Sequence, residues 1–129
     1  MSFKERKAET LKFLDEFGYE QIDEEIRPLI KLMNKIKGIY TVESCVGNNT
    51  SPCRIWFYVD KFETLHKFCF YCLNCTSRSW KVCYDTGDIH RSNHKLFYLE
   101  SCKKDIDTIK VLIYNLCQSI ERELLNLNK

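Results

Sequence analysis

Apolar and polar positions recur along this chain with two different periods, and the switches between them mark out eight segments. Residues 2–17 are rich in charge but place Phe3, Leu11, Leu14 and Phe17 on one side of a helix that Gly18 closes. A second helix carries Ile22, Ile26, Leu29, Ile30 and Met33 at helical spacing. Pro28 suits its first turn, where an amide has no partner to lose, so this helix starts near Ile26 with Asp23–Glu25 as lead-in. Gly38 is its natural stop.

After Gly38 the period drops to two. Residues 39–45 and 54–59 predict strands, being rich in β-branched and aromatic side chains. Residues 61–75 return to a helix with Phe62, Leu65, Phe68, Cys69 and Cys72 as its apolar stripe. Residues 80–84 and 95–100 predict two more strands. From Asp105 to Leu127 runs the strongest helical pattern, through Ile106, Ile109, Ile113, Leu116, Ile120 and Leu124. The order α-α-β-β-α-β-β-α predicts one α+β domain spanning residues 1–129. It has a mostly antiparallel four-stranded sheet, and helices 23–37 and 105–127 supply most of its apolar cover.

Sliding the sequence by 41 positions sets "RIWFYV" (54–59) over "KLFYLE" (95–100) without a gap, and brings Ile39 over Trp80, Leu65 over Ile106 and Phe68 over Ile109. Two ββα units preceded by two helices would produce this match, and so would chance alignment of apolar runs. In "RIWFYV", Ile55, Phe57 and Val59 point one way and Trp56 and Tyr58 the other, so both faces of the strand are apolar or aromatic. Either helices cover both faces, or the second face lines a ligand groove or a contact with another copy, as in a homodimer.

Composition narrows the class. With 44% apolar and 29% charged residues, four glycines and two prolines, the chain has the profile of a globular domain. A net charge of +2 gives no basic footprint of a dedicated nucleic-acid binder, although a local patch is compatible with it. The charged start "MSFKERKAETLKFLDEF" does not read as a signal peptide, and no apolar run reaches membrane-spanning length. A soluble, cytoplasmic protein without a membrane partner is expected. The eight cysteines are then expected to be free thiols, most of them buried as small hydrophobes.

Three stretches carry candidate chemistry. In "CFYCLNC", Cys69, Cys72 and Cys75 have metal-motif spacing, with Cys83 further on. A helix through them separates the backbones of Cys69 and Cys75 by roughly 9 Å along its axis, so helix and three-thiolate zinc exclude each other. The apolar stripe favours the helix, and no metal is assigned. In "DTGDIHRSNH", Asp88, His90 and His94 sit in a polar connection between strands, a candidate second loop whose default is a solvated hairpin. The third is "TVESCVGNNTSPCRI". A strand ending in Ser44 and Cys45 and turning through Gly47 and Asn48 can direct backbone N–H groups to one concave side, as anion-binding nests do, with Arg54 adding a charge. Cys45 is a candidate nucleophile if a base stands within reach. The alternative is a tight hairpin with a buried cysteine.

The segment "TVESCVGN" and the strand opening at Arg54 and Ile55 resemble the Ser-Cys-Ser-Gly-Arg/His turn of the wybutosine-synthesis tRNA methyltransferase family. They are similar, too, to small uncharacterised bacterial and phage proteins with a "TVESC-x-G-H" core. The match covers about residues 38–60 and falls on Thr41, Ser44, Cys45 and Gly47. It implies a compact α/β domain with a functional surface at the turn. For the methyltransferase relatives it also implies S-adenosylmethionine and a tRNA guanosine derivative. Val46 and Asn48 depart from the family pattern, Asn48 replacing a titratable or cationic residue, and no G-x-G-x-x-G fingerprint is present. Three functions follow as expectations. The first is a module binding a nucleotide- or RNA-like anion at Ser44–Asn48 without chemistry. The second is a tRNA-modifying methyltransferase using S-adenosylmethionine, and the third a homo-oligomeric interaction protein.

Overall fold

The computed structural model describes residues 2–76, 78–85 and 95–127, apart from the side chains of Cys75, Asn126 and Leu127. Its first helix, α1 (Phe3–Phe13), starts at a capping box: the Glu5 amide donates to the Ser2 hydroxyl at 3.1 Å while the Ser2 amide donates to the Glu5 carboxylate at 3.3 Å. Gly18 does not close this helix. Its φ of −76° is right-handed helical, and the path continues as a π-helical turn over Leu14–Gly18 and a 3₁₀ turn over Tyr19–Gln21. The glycine instead makes room, since a Cβ there would stand 2.7 Å from Leu14 Cδ2. Phe17, expected on the apolar side, is 59% exposed.

Helix α2 (Arg27–Asn34) carries Pro28 in its first turn, as the sequence predicts, and buries Leu29, Ile30, Leu32 and Met33. It ends three residues earlier than the expected stop because Asn34 turns its side chain onto the next strand. The Asn34 amide donates to the Thr41 hydroxyl at 2.9 Å, and the Thr41 amide donates to Asn34 Oδ1 at 2.8 Å, both buried. Gly38 then makes the corner with φ +89°, a conformation that favours glycine, and any Cβ would meet the Asp60 carboxylate.

Strands β1 (Ile39–Cys45), β2 (Arg54–Val59), β3 (Trp80–Tyr84) and β4 (Lys95–Ser101) form one sheet in the order β1-β2-β4-β3, antiparallel throughout. Between β2 and β3 the chain is helical over 62–76: α3 (Phe62–Lys67), a π-helical stretch Phe68–Leu73 and a 3₁₀ turn Asn74–Thr76. Helix α4 (Ile106–Leu127) closes the described chain. Ile55, Phe57, Val59 and Leu99 of the sheet are fully buried against Ile30 and Met33 of α2, Phe68 and Cys72, and Ile109, Leu116 and Ile120 of α4. The predicted element order and α+β class are those of the structure.

The 41-residue offset does not carry over to the faces of the central strands. Arg54 pairs with Glu100 and so shares its face, whereas Lys95, the equivalent of Arg54, pairs with Val59 on the opposite face. Ile55 and Phe57 are fully buried while their equivalents Leu96 and Tyr98 are partly exposed, and Trp56 and Tyr58 are partly exposed while Phe97 and Leu99 are buried; only in the helices do equivalents such as Phe68 and Ile109 agree. A bulge between Thr41 and Glu43 breaks the correspondence in β1.

The two faces of the sheet differ in cover. Helices α2 and α4 and the 62–76 helix occupy one face, and α1 leans over a corner of the other, where the Phe3 ring meets Tyr40 at a tilt with ring centres 5.0 Å apart. Arg54, Trp56, Tyr58, Leu96 and Tyr98 of the two central strands remain partly exposed.

Candidate functional site

The turn from β1 to β2 owes its shape to two asparagines and one glycine. Gly47 has φ +95°, and a Cβ there would lie 2.6 Å from the Ser51 carbonyl oxygen. Asn48 Oδ1 accepts from the amides of Thr50 and Ser51, at 3.2 and 2.9 Å, a side-chain turn that ties the loop to itself. Asn49, at φ +71°, reaches the start of α4, where its Oδ1 accepts from the Ile106 amide at 2.9 Å. The adjoining Thr108 amide is taken by the Asp105 carboxylate at 3.0 Å. The Val46 amide donates to the Asp23 carboxylate at 3.2 Å. The backbone donors expected to form a nest are thus largely committed within the protein, one of them to an internal anion.

The residues singled out from the sequence come together at one end of the sheet but divide between its faces. Cys45 is paired directly with Arg54, so both project from the uncovered face, and Cys45 is exposed. Ser44 is paired with Ile55 and points the other way, lining a cleft of about 270 Å³ between β1 and the end of α1, with Thr10, Phe13, Ile22 and Val42. Asn48 is exposed, with its Oδ1 engaged as described. Asp88, His90 and His94 lie outside the described residues. The residues flanking that loop, Tyr84 and Lys95, belong to the opposite end of the sheet from Cys45.

Cys53, the other cysteine at this hairpin, is fully buried, and that burial, with Cys45 and Asp23 nearby, pushes its thiol up to about 12. It is inert at neutral pH. Cys72 is likewise buried and Cys69 half-buried within a helical stretch, the arrangement that the apolar stripe predicts.

Two residues that the sequence reading missed complete this end of the sheet. Arg54 Nε donates to Glu100 at 2.6 Å, and Lys81 Nζ reaches the other oxygen of the same carboxylate at 2.8 Å. Partial burial pushes the Glu100 carboxyl up, but the hydrogen bonds from Lys81 and Arg54 outweigh it and hold the group below the ordinary carboxylate range. The row Cys45, Arg54, Glu100, Lys81 crosses all four strands. Behind it lies a second row of Glu43, Trp56, Tyr98 and Cys83, in which the Trp56 and Tyr98 rings are 5.7 Å apart. Pairing between strands that are not consecutive is invisible to periodicity.

No protein-family model matches the chain, and no curated protein matches it. Among solved structures, the chain is similar to the PH1069 protein from Pyrococcus horikoshii, with a TM-score of 0.59 and 13% sequence identity, over 98% of this chain and 94% of that one. At that identity the likeness shows the fold alone. Among the described residues no helix is long and apolar enough to cross a membrane.

Proposed function

We propose that this domain binds a nucleotide- or RNA-like anion at the Ser44–Asn48 turn, without carrying out chemistry on it. The observation supporting this is the exposed cation beside the turn. Arg54 stands directly across from Cys45 with its side chain 42% exposed, although it shares the Glu100 carboxylate with Lys81. A guanidinium offers phosphate two parallel donors, and two cations sharing one carboxylate leave a positive charge for an incoming anion. Calorimetric titration with inorganic triphosphate and with ATP tests this. Micromolar binding that Arg54→Gln weakens about tenfold is expected. Binding of equal strength in that variant overturns the reading.

A second reading draws on the cleft beside Ser44 and the exposed thiol of Cys45: an S-adenosylmethionine-dependent enzyme of the tRNA-modifying type. The cleft joins apolar walls to the hydroxyls of Thr10 and Ser44, the mixture that small-molecule sites use. Micromolar binding of S-adenosylmethionine, weakened by Ser44→Ala in the cleft, supports the enzyme over the module. A melting temperature unmoved by S-adenosylmethionine removes it.

A further inference from the structure

We propose that the uncovered face of the sheet is a stacking platform for the bases of single-stranded RNA, with Trp56 and Tyr98 beneath the bases and Arg54 and Lys81 meeting phosphate at its end. This rests on reading the turn as a site for an RNA-like anion and supplies what that reading leaves undefined, the part of the ligand carrying the bases.

Placement comes first. Trp56 and Tyr98 are direct cross-strand partners on the two central strands, their ring centres 5.7 Å apart, and both are partly exposed. Tyr58 continues the strip along β2 beside Leu96. Aromatic rings on the open face of a four-stranded antiparallel sheet present flat apolar surfaces to unstacked bases, and any base has a face to offer them. Charge comes second. The strip runs directly into the Arg54–Glu100–Lys81 row, whose cationic side chains are 42% and 59% exposed while the carboxylate between them is 10% exposed. A ribose-phosphate chain laid along the strip therefore reaches a net positive row at the end where the turn lies. Backbone phosphates are drawn to such rows independently of sequence.

Area separates this occupant from a second copy of the chain. Four partly exposed side chains, three of them aromatic, offer roughly 300 Å² of apolar surface at most. A stable dimer buries about 800 Å² from each partner, of which roughly 450 Å² is apolar. The strip is thus too small for the core of a homodimer, and its size suits one or two bases.

The test uses the full chain and two probes, a labelled short oligouridylate followed by fluorescence anisotropy and inorganic triphosphate followed by calorimetry. Trp56→Ala and Tyr98→Ala are each expected to weaken the oligonucleotide about tenfold or more, while Trp56→Phe retains most of the affinity. None of the three is expected to change triphosphate binding, whereas Arg54→Gln weakens both probes. Circular dichroism melts of each variant report whether a loss comes from unfolding, and where alanine unfolds the protein Trp56→Leu, apolar but without a ring, takes its place and is expected to lose as much RNA affinity. RNA affinity unchanged in Trp56→Phe, Trp56→Ala and Tyr98→Ala, but reduced in Arg54→Gln, overturns the platform and leaves the anion site standing. RNA binding that needs Trp56, in a protein indifferent to triphosphate, supports the platform and removes the anion reading. A dimer that Trp56→Ala dissociates, in a protein that binds no RNA, makes this face a self-association surface and overturns the proposal.

Discussion

Strand β2 shows two surfaces built from one alternation. Ile55, Phe57 and Val59 are completely buried, while Arg54, Trp56 and Tyr58 between them are partly exposed. Hydrophobicity alone does not separate the sets, since all five residues before Asp60 are aromatic or β-branched, whichever face they take. The kind of apolar residue separates them. Pure hydrocarbon side chains lie under the helices, and the rings that carry an N–H or O–H lie where water or a ligand can satisfy it. Trp80 is the exception that shows the cost: it is 7% exposed, and its indole N–H has no hydrogen-bond partner among the described residues.

The contrast between the faces predicts unequal penalties for neighbouring residues. Phe57 is fully buried, its ring 5.6 Å from that of Phe68 and 6.2 Å from that of Phe97. Replacing it with alanine removes transfer energy and leaves a cavity, an expected loss of about 3–5 kcal/mol. Trp56→Ala, one residue away but on the partly exposed face, is expected to cost about 1 kcal/mol despite deleting a larger side chain. Urea denaturation of both variants checks the ordering. Equal losses would mean that the second face is packed as a core, and the distinction drawn here would fail.

How much of this was legible in the sequence depends on whether the cause was local. The element order, the antiparallel sheet and the α4 stripe through Ile109, Ile113, Leu116 and Ile120 follow from periodicity, because each residue reports its own face. Pro28 located the start of α2 for the same reason. Gly18 misled: glycine signals either a stop or a close approach, and only the Leu14 side chain above it decides which. The end of α2 was missed because a side-chain pair reaching into the next strand, Asn34 with Thr41, sets it, and hydrophobic periodicity carries no sign of a polar pair. At the candidate site the structure sets Cys45 beside Arg54 at the turn through Gly47, but the expected nest is not there, since Asp23, Asn48 and Asn49 take its donors or shape it from elsewhere. Glu100 and Lys81 come from strands distant in sequence, and nothing in the local pattern points to them.

The turn couples the two faces, which makes Gly47 a sharper probe than its size suggests. A Cβ at this position would press on the Ser51 carbonyl from within the turn and stand 3.1 Å from Ile109 Cδ1 of the buried helix, on a backbone at φ +95°. Gly47→Ala is expected to lose about 1–3 kcal/mol of stability. Thermal melts measure the loss, and a melt identical to that of the parent would mean that the turn is free to move independently of the covered face.

The smallest effect concerns the charged row of the uncovered face. Glu100→Gln keeps the shape and removes the charge that Arg54 and Lys81 share, at an expected cost of about 1 kcal/mol or less at neutral pH, since both cations remain well hydrated. The pH dependence identifies the cause. The carboxyl of Glu100 titrates lower in the folded protein than in the unfolded chain, so its contribution is present above the unfolded value of about 4.3 and disappears as pH falls through the folded one. The parent therefore loses this increment in acid and the glutamine variant has none to lose. The gap between their melting temperatures should narrow as pH falls below the unfolded value and close once it is below the folded one. A gap that persists there would assign the effect to packing of the side chain rather than to its charge, placing Glu100 with the covered face instead of the open one.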